Sequence, residues 1–164
     1  MTSAQRLLEL TTEGPVLCVG LDPHPQVLEA FHCPDTPDGL GHWVETLLEL
    51  VGSAGITVVK PQVALFERHG VRGMAHLAAL MGQLRNQGVF VVGDAKRGDI
   101  GSTMSAYATA WLSSGADFEV DALTLSPYLG VGSLEPALEL ARDEGKAVFV
   151  LAATSNPEAT ALQG

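Results

Sequence analysis

Five short apolar runs recur along the chain: Val16 to Leu21, Ile56 to Lys60, Val89 to Asp94, Ala122 to Ser126 and Ala147 to Ala152. Their starts lie 40, 33, 33 and 25 residues apart, the pitch of a strand followed by a crossover helix. Val, Leu and Phe fill these runs almost without alternation, which predicts strands buried on both faces. Between them the apolar positions switch to helical spacing. Leu40, Val44, Leu47, Leu48 and Val51 form one stripe, and Met74, Leu77, Ala78, Met81 and Leu84 a second. Met104, Tyr107, Ala108, Trp111 and Leu112 form a third, and Leu134, Ala137, Leu138 and Ala141 a fourth, with Pro136 near its start where proline is tolerated.

Gly55, Gly88, Gly115 and Gly145 each precede a strand, where a left-handed residue closes one helix before the chain turns back. Regular strand–helix alternation without a polar linker predicts a single α/β domain over 1–164, a parallel sheet with helices outside. An open doubly wound sheet and a (β/α)8 TIM barrel both satisfy the pattern. Polar residues favour the barrel. Asp22, Lys60, Asp94, Lys96, Ser126 and Ser155 fall at or just beyond the C-terminal ends of five successive strands. A barrel draws its site from many strand ends, whereas an open sheet concentrates it at one switch point. A closed barrel takes about 250 residues, so the domain is expected to be incomplete, cut short after about five βα units.

Composition narrows the function classes. Nine Lys and Arg against nineteen Asp and Glu give a net charge of −10, which argues against a nucleic-acid surface. No run approaches the ~18 apolar residues of a membrane helix, and the N-terminus does not look like a signal peptide, so a cytoplasmic protein is expected. Cys18 and Cys33 make neither a disulfide framework nor a metal cluster, and read as small apolar filler.

The densest chemistry is Asp94-Ala95-Lys96-Arg97-Gly98-Asp99, two acids and two bases directly behind an apolar strand. Asp94 and Lys96 are two apart, so on a strand they leave from one face. Buried charges persist when paired, and such pairs cluster at functional sites. Lys60 closes the preceding strand, and Asp22 closes the one before it. Asp99 also stands where an acid favours the start of the helix expected from Ser102. Other motifs are weak. Gly98 and Gly101 lack the Gly-Lys-Ser/Thr of a phosphate loop, and the five histidines show no ligand spacing. His69 and His76 are expected on one helix as surface or packing residues. Ser126 lacks a partnered His and Asp.

The segment from Asp94 to Thr103 resembles the Asp-x-Lys-x-x-Asp signature of the orotidine 5'-phosphate decarboxylase family. Gly20-Leu21-Asp22-Pro23, the stretch from Val59-Lys60-Pro61-Gln62 to Glu67, Leu125-Ser126-Pro127-Tyr128-Leu129-Gly130 and Thr154-Ser155-Asn156-Pro157 are similar to its longer bacterial branch. The likeness runs in order from about residue 15 to the end. It implies cofactor-free, metal-free conversion of orotidine 5'-monophosphate to uridine 5'-monophosphate and CO2, in pyrimidine biosynthesis. By the same resemblance Lys60, Asp94, Lys96 and Asp99 form the charged catalytic network, with Lys96 as the proton donor to C6. Asp99, Ile100 and Thr103 would enter the site of a neighbouring subunit in a homodimer. Asp22 and Lys60 would hold the ribose hydroxyls, and Ser155 would meet the pyrimidine edge.

The family's phosphate-gripping loop and its arginine would lie beyond residue 164. The chain alone is therefore expected to be weakly active or inactive. Two other readings stay open: a Mg²⁺-dependent sugar-phosphate lyase of the same superfamily, and a barrel fragment without catalysis.

Overall fold

The computed structural model describes residues 1–12 and 14–163. Five parallel strands form one sheet: β1 (Cys18–Leu21), β2 (Val58–Pro61), β3 (Phe90–Arg97), β4 (Ala122–Leu125) and β5 (Ala147–Val150). They lie side by side in chain order, each bonded to the next. That order separates the two candidate architectures. A doubly wound sheet reverses direction at its switch point, so some strands adjacent in sequence are apart in space. A parallel sheet that only steps one way has the arrangement of a (β/α)8 barrel, and this chain holds five consecutive βα units of it.

The helices are α1 (Ser3–Thr12), α2 (Pro25–Ala30), α3 (Pro37–Ser53), α4 (Val63–Glu67), α5 (Gly70–Asn86), α6 (Gly101–Leu112), α7 (Glu135–Asp143) and α8 (Thr160–Gln163). Local chemistry sets their ends. The Thr36 hydroxyl accepts the Gly39 N–H at 3.2 Å with Pro37 in the first turn, so α3 starts on a capped, preset backbone. Gly55, Gly88, Gly115 and Gly145 all take positive φ, between 64° and 82°, as their positions before the strands require. Four helices lack a foreseen stripe: α1, and the short α2, α4 and α8, whose four to six residues are too few to show a period. His69 precedes α5 as its cap residue and only His76 lies within that helix, where its ring packs on Gly41 of α3.

Side chains alternate across the sheet and build two apolar layers. Val59, Val91, Leu123 and Leu125 face outward into the main core with Leu77, Leu84, Met104 and Leu112 of the helices. Val58, Phe90, Val92 and Ala122 face the other way and pack with Leu7 and Leu10 of α1. Arg6 fixes that helix: its guanidinium lies over the Phe90 ring and reaches Asp121 at 3.2 Å. The inner layer therefore has an apolar floor. Two residues further along each strand, the same face carries Lys60, Asp94 and Thr124.

Burial on both faces holds for the central strands and fails at the edges. Among the described residues β1 and β5 pair on one side only. Cys18 is exposed on β1 instead of filling a core, while Cys33 is half-buried against it. Phe149 and Val150 of β5 are exposed. No described helix is long and apolar enough to cross a membrane.

Candidate active site

Lys60 and Asp94 stand on adjacent strands, both on the inner face, and their side chains meet: Lys60 Nζ donates to Asp94 Oδ2 at 2.9 Å. Gln62 Nε2 donates to the same oxygen at 3.0 Å. The other oxygen, Oδ1, accepts from Lys96 Nζ at 2.6 Å and from the Thr124 hydroxyl at 3.0 Å. A carboxylate has about four acceptor positions, and Asp94 fills them from three strands. Burial works to raise the Asp94 pKa. Hydrogen bonds from Lys60, Lys96 and Thr124 outweigh it and hold the carboxyl below its usual range. Burial likewise works to lower Lys60, but the hydrogen bond and charge of Asp94, with the charge of Asp22, keep its ammonium above the ordinary lysine value.

The Asp94–Lys96 contact does not come from regular strand geometry. Gly93 pairs with Leu123 and Arg97 with Leu125, so four steps along β3 (97 − 93) face two along β4 (125 − 123). The excess forms a bulge, a feature that re-aims side chains beside sites. Lys96 within it takes φ 48°, left-handed for a residue with a Cβ. Its ammonium turns back onto Asp94 while much of the side chain stays open to solvent, 46% exposed, so Lys96 is less enclosed than an inward-pointing strand residue. The far end of the bulge is pinned. The Arg97 guanidinium lies over the Tyr107 and Trp111 rings at 5.6 and 5.8 Å and pairs with Glu67 of α4.

Asp22 follows β1, and its carboxylate folds back beside Gly20. Its Oδ1 is buried without a hydrogen-bond partner, a group left free for a ligand hydroxyl or water. The remaining sequence-derived residues lie apart from this network. Asp99 does not cap α6 through a deeper N–H: its Oδ1 accepts from the adjacent Ile100 at 2.8 Å, and Ile100 is the cap residue. Ile100 is 61% exposed, an unusual setting for an isoleucine beside a charged cluster, and Thr103 is exposed as well. Ser155 is exposed in the loop after β5. A cavity of about 320 Å³ opens at the same end of the sheet, lined by Ser126, Tyr128, Leu151 and Leu162 among others.

Two network members, Gln62 and Thr124, are not among the residues that the sequence alone singles out. Both carry a signal there. Gln62 continues the two-residue alternation from Lys60, and Thr124 is a lone hydroxyl inside an otherwise apolar strand.

The sequence model of the "Orotidine 5'-phosphate decarboxylase / HUMPS family" matches residues 15–164. The chain belongs to the orotidine 5'-phosphate decarboxylase / HUMPS family. Among its relatives, an orotidine 5'-phosphate decarboxylase of Corynebacterium efficiens is 51% identical over 162 residues, covering 99% of this chain and 58% of its own length. One from Salinispora tropica is 51% identical over 158 residues, covering 96% of this chain and 56% of its own. The crystal structure of a putative orotidine 5'-phosphate decarboxylase from Streptomyces avermitilis superposes with a TM-score of 0.94 at 48% identity, over 99% of this chain and 56% of that one. The chain thus spans somewhat more than half the length of each of these three relatives.

Proposed function

We propose that this chain carries the catalytic charge network of an orotidine 5'-phosphate decarboxylase, acting in the cytoplasm on orotidine 5'-monophosphate to give uridine 5'-monophosphate and CO2. The observation that supports it best is the saturated Asp94 carboxylate held between the Lys60 and Lys96 ammoniums.

The chemistry follows from what the reaction lacks. When the bond from C6 to the carboxylate breaks, CO2 departs and the electron pair stays on C6, in an orbital without a conjugated sink. Stabilisation must come from fixed charge in a site from which water is excluded. Lys96 supplies an ammonium beside the developing carbanion, and its Nζ–H proton passes to C6, leaving a neutral amine that solvent reprotonates. Two unit charges 4 Å apart interact by about 4 kcal/mol at an effective dielectric near 20. Asp94 keeps the Lys60 ammonium charged, pairs with that of Lys96 and repels the substrate carboxylate. Lys60 and Asp22 hold the ribose hydroxyls, which suits the unpartnered Asp22 oxygen. Ser155 meets the pyrimidine edge. Asp99, Ile100 and Thr103 serve the site of a second subunit in a homodimer, a reading supported by the exposure of Ile100 and the separation of Asp99 from Asp94's partners.

A Mg²⁺-dependent lyase would need a carboxylate with free lone pairs. Asp94 has its four positions taken, two of them by cations, which disfavours a dication there. Thermal denaturation with a 6-substituted uridine 5'-monophosphate tests the proposal, because a ligand of the folded state raises Tm. An increase that is lost in Lys96→Ala supports it. No increase for the unsubstituted chain counts against it.

A further inference from the structure

Thr124 occupies a singular place in the network. It is the polar residue of β4 that looks onto the inner face, it is buried, and it lies between Leu123 and Leu125, the two residues that bracket the β3 bulge. The extra residues of that bulge have no ladder partner opposite them, so their backbone donors need another acceptor. The Thr124 hydroxyl provides one, accepting the Lys96 N–H at 2.9 Å. Its single proton can go to Asp94 Oδ1 at 3.0 Å or to the Gly93 carbonyl at 3.4 Å. The shorter contact to an ionised acceptor is the stronger one. One hydroxyl thereby holds the backbone of one charged residue and the carboxylate of the other.

We infer that Thr124 is a positioning residue: its hydroxyl holds Lys96 in the left-handed conformation that delivers the ammonium to Asp94, and so sets where the proton donor stands. This rests on the decarboxylase reading for its meaning, but the geometry it asserts stands independently. A left-handed non-glycine residue is strained and persists only where its surroundings over-determine it. Arg97 pins the residue after Lys96, and Asp94 pins the end of its side chain. Thr124 is the only described side chain with a hydrogen bond to the Lys96 backbone N–H. With the hydroxyl removed, that N–H is orphaned in a half-buried bulge and Asp94 loses one of four donors. Lys96 is then free to relax to an ordinary strand conformation, with its half-exposed ammonium drawn into water.

The chain contains three lysines, Lys60, Lys96 and Lys146, so a sample labelled with [ε-13C]lysine gives three side-chain signals, assigned by single Lys→Arg substitutions. Thr124→Val keeps the shape and removes the hydroxyl, whereas Thr124→Ser keeps the hydroxyl. We expect the Lys96 signal of Thr124→Val to move toward the position of free lysine while Lys146 stays in place, and Thr124→Ser to restore it. A folded Thr124→Val chain with the Lys96 signal at its original position would overturn the inference. So would equal displacement of all three signals, which marks a general loss of structure, or a Thr124→Ser chain that behaves like Thr124→Val. Neither substitution nor readout depends on decarboxylation or on ligand, so absence of a ligand-induced rise in Tm would count against the proposed function while the role of Thr124 in holding Lys96 would still be decided by these signals.

Discussion

Lys60 reaches Asp94 from the neighbouring strand and takes the oxygen that Lys96 leaves, so a single buried carboxylate separates two ammonium groups. Each charge in this row has its counter-charge within 3 Å, and the inner apolar layer below leaves water little access from that side. Paired in this way, the three charges can stay ionised where any one alone would neutralise or turn outward.

Asp94→Asn should therefore act on the lysines. The Lys60 ammonium is held above its ordinary value by Asp94 against the opposing effect of burial. Without that partner, Lys60 should titrate at lower pH, as followed by the ε-carbon signal of labelled lysine. The stability this pairing confers is full below the unfolded pKa of about 10.4 and is lost as pH rises through the folded value. The urea midpoint of the unsubstituted chain should hence fall at strongly alkaline pH. An unchanged Lys60 titration in Asp94→Asn would show the pairing to be incidental.

A second carboxylate, at the other end of the sheet, should contribute to stability in acid. Glu119 Oε1 meets Lys146 Nζ and Oε2 meets Arg85 Nη1, both at 2.5 Å, and the Gly115 N–H donates to Oε2 at 2.8 Å. Burial works to raise this carboxyl, but hydrogen bonds from Arg85, Lys146 and Gly115 bring it down to about 2. A depressed folded-state pKa contributes stability above the unfolded value, near 4.3, and loses it as pH falls toward 2. Glu119→Gln should cost on the order of 3 kcal/mol at neutral pH and flatten the acid limb between about pH 4 and 2, as judged by urea unfolding across pH. Parallel acid limbs in the two proteins would place the acid sensitivity elsewhere.

Gly98→Ala tests the close approach that closes the bulge. A Cβ at Gly98 would overlap the Ser126 carbonyl oxygen, a backbone atom that cannot swing aside. β3 and β4 would have to part just past the network. We expect a destabilisation of roughly 1–3 kcal/mol, typical of overpacking, together with displaced Lys96 and Asp99 resonances. Wild-type stability and spectrum would mean the loop yields freely.

How much of the fold and site is legible in the sequence depends on the range of the interaction. The five strands and four principal helices follow from periodicity, because burial of a face imposes a regular spacing on the residues that form it. Lys60, Asp94 and Lys96 are legible as charges at strand ends. The reason for their contact is not. Two-residue spacing suggests a plain strand, whereas the contact needs a bulge and a left-handed Lys96, neither of which a sequence period encodes. Thr124 and Gln62 stay hidden because their roles depend on register between strands. Cys18 is misplaced when burial is judged from apolar neighbours along β1, since an edge strand has no neighbour on one side.

The central claim is that Lys96, placed by this chain's own fold, is the proton donor. Its most direct test is decarboxylation of orotidine 5'-monophosphate by a chimera that joins these 164 residues to the remaining part of the Streptomyces avermitilis relative. Formation of uridine 5'-monophosphate by the chimera, with kcat falling by at least ~10²-fold in its Lys96→Ala form as expected for a lost transition-state donor, is the predicted result. A Lys96→Ala chimera that keeps more than about a tenth of the rate, beyond what loss of such a donor allows, would contradict it.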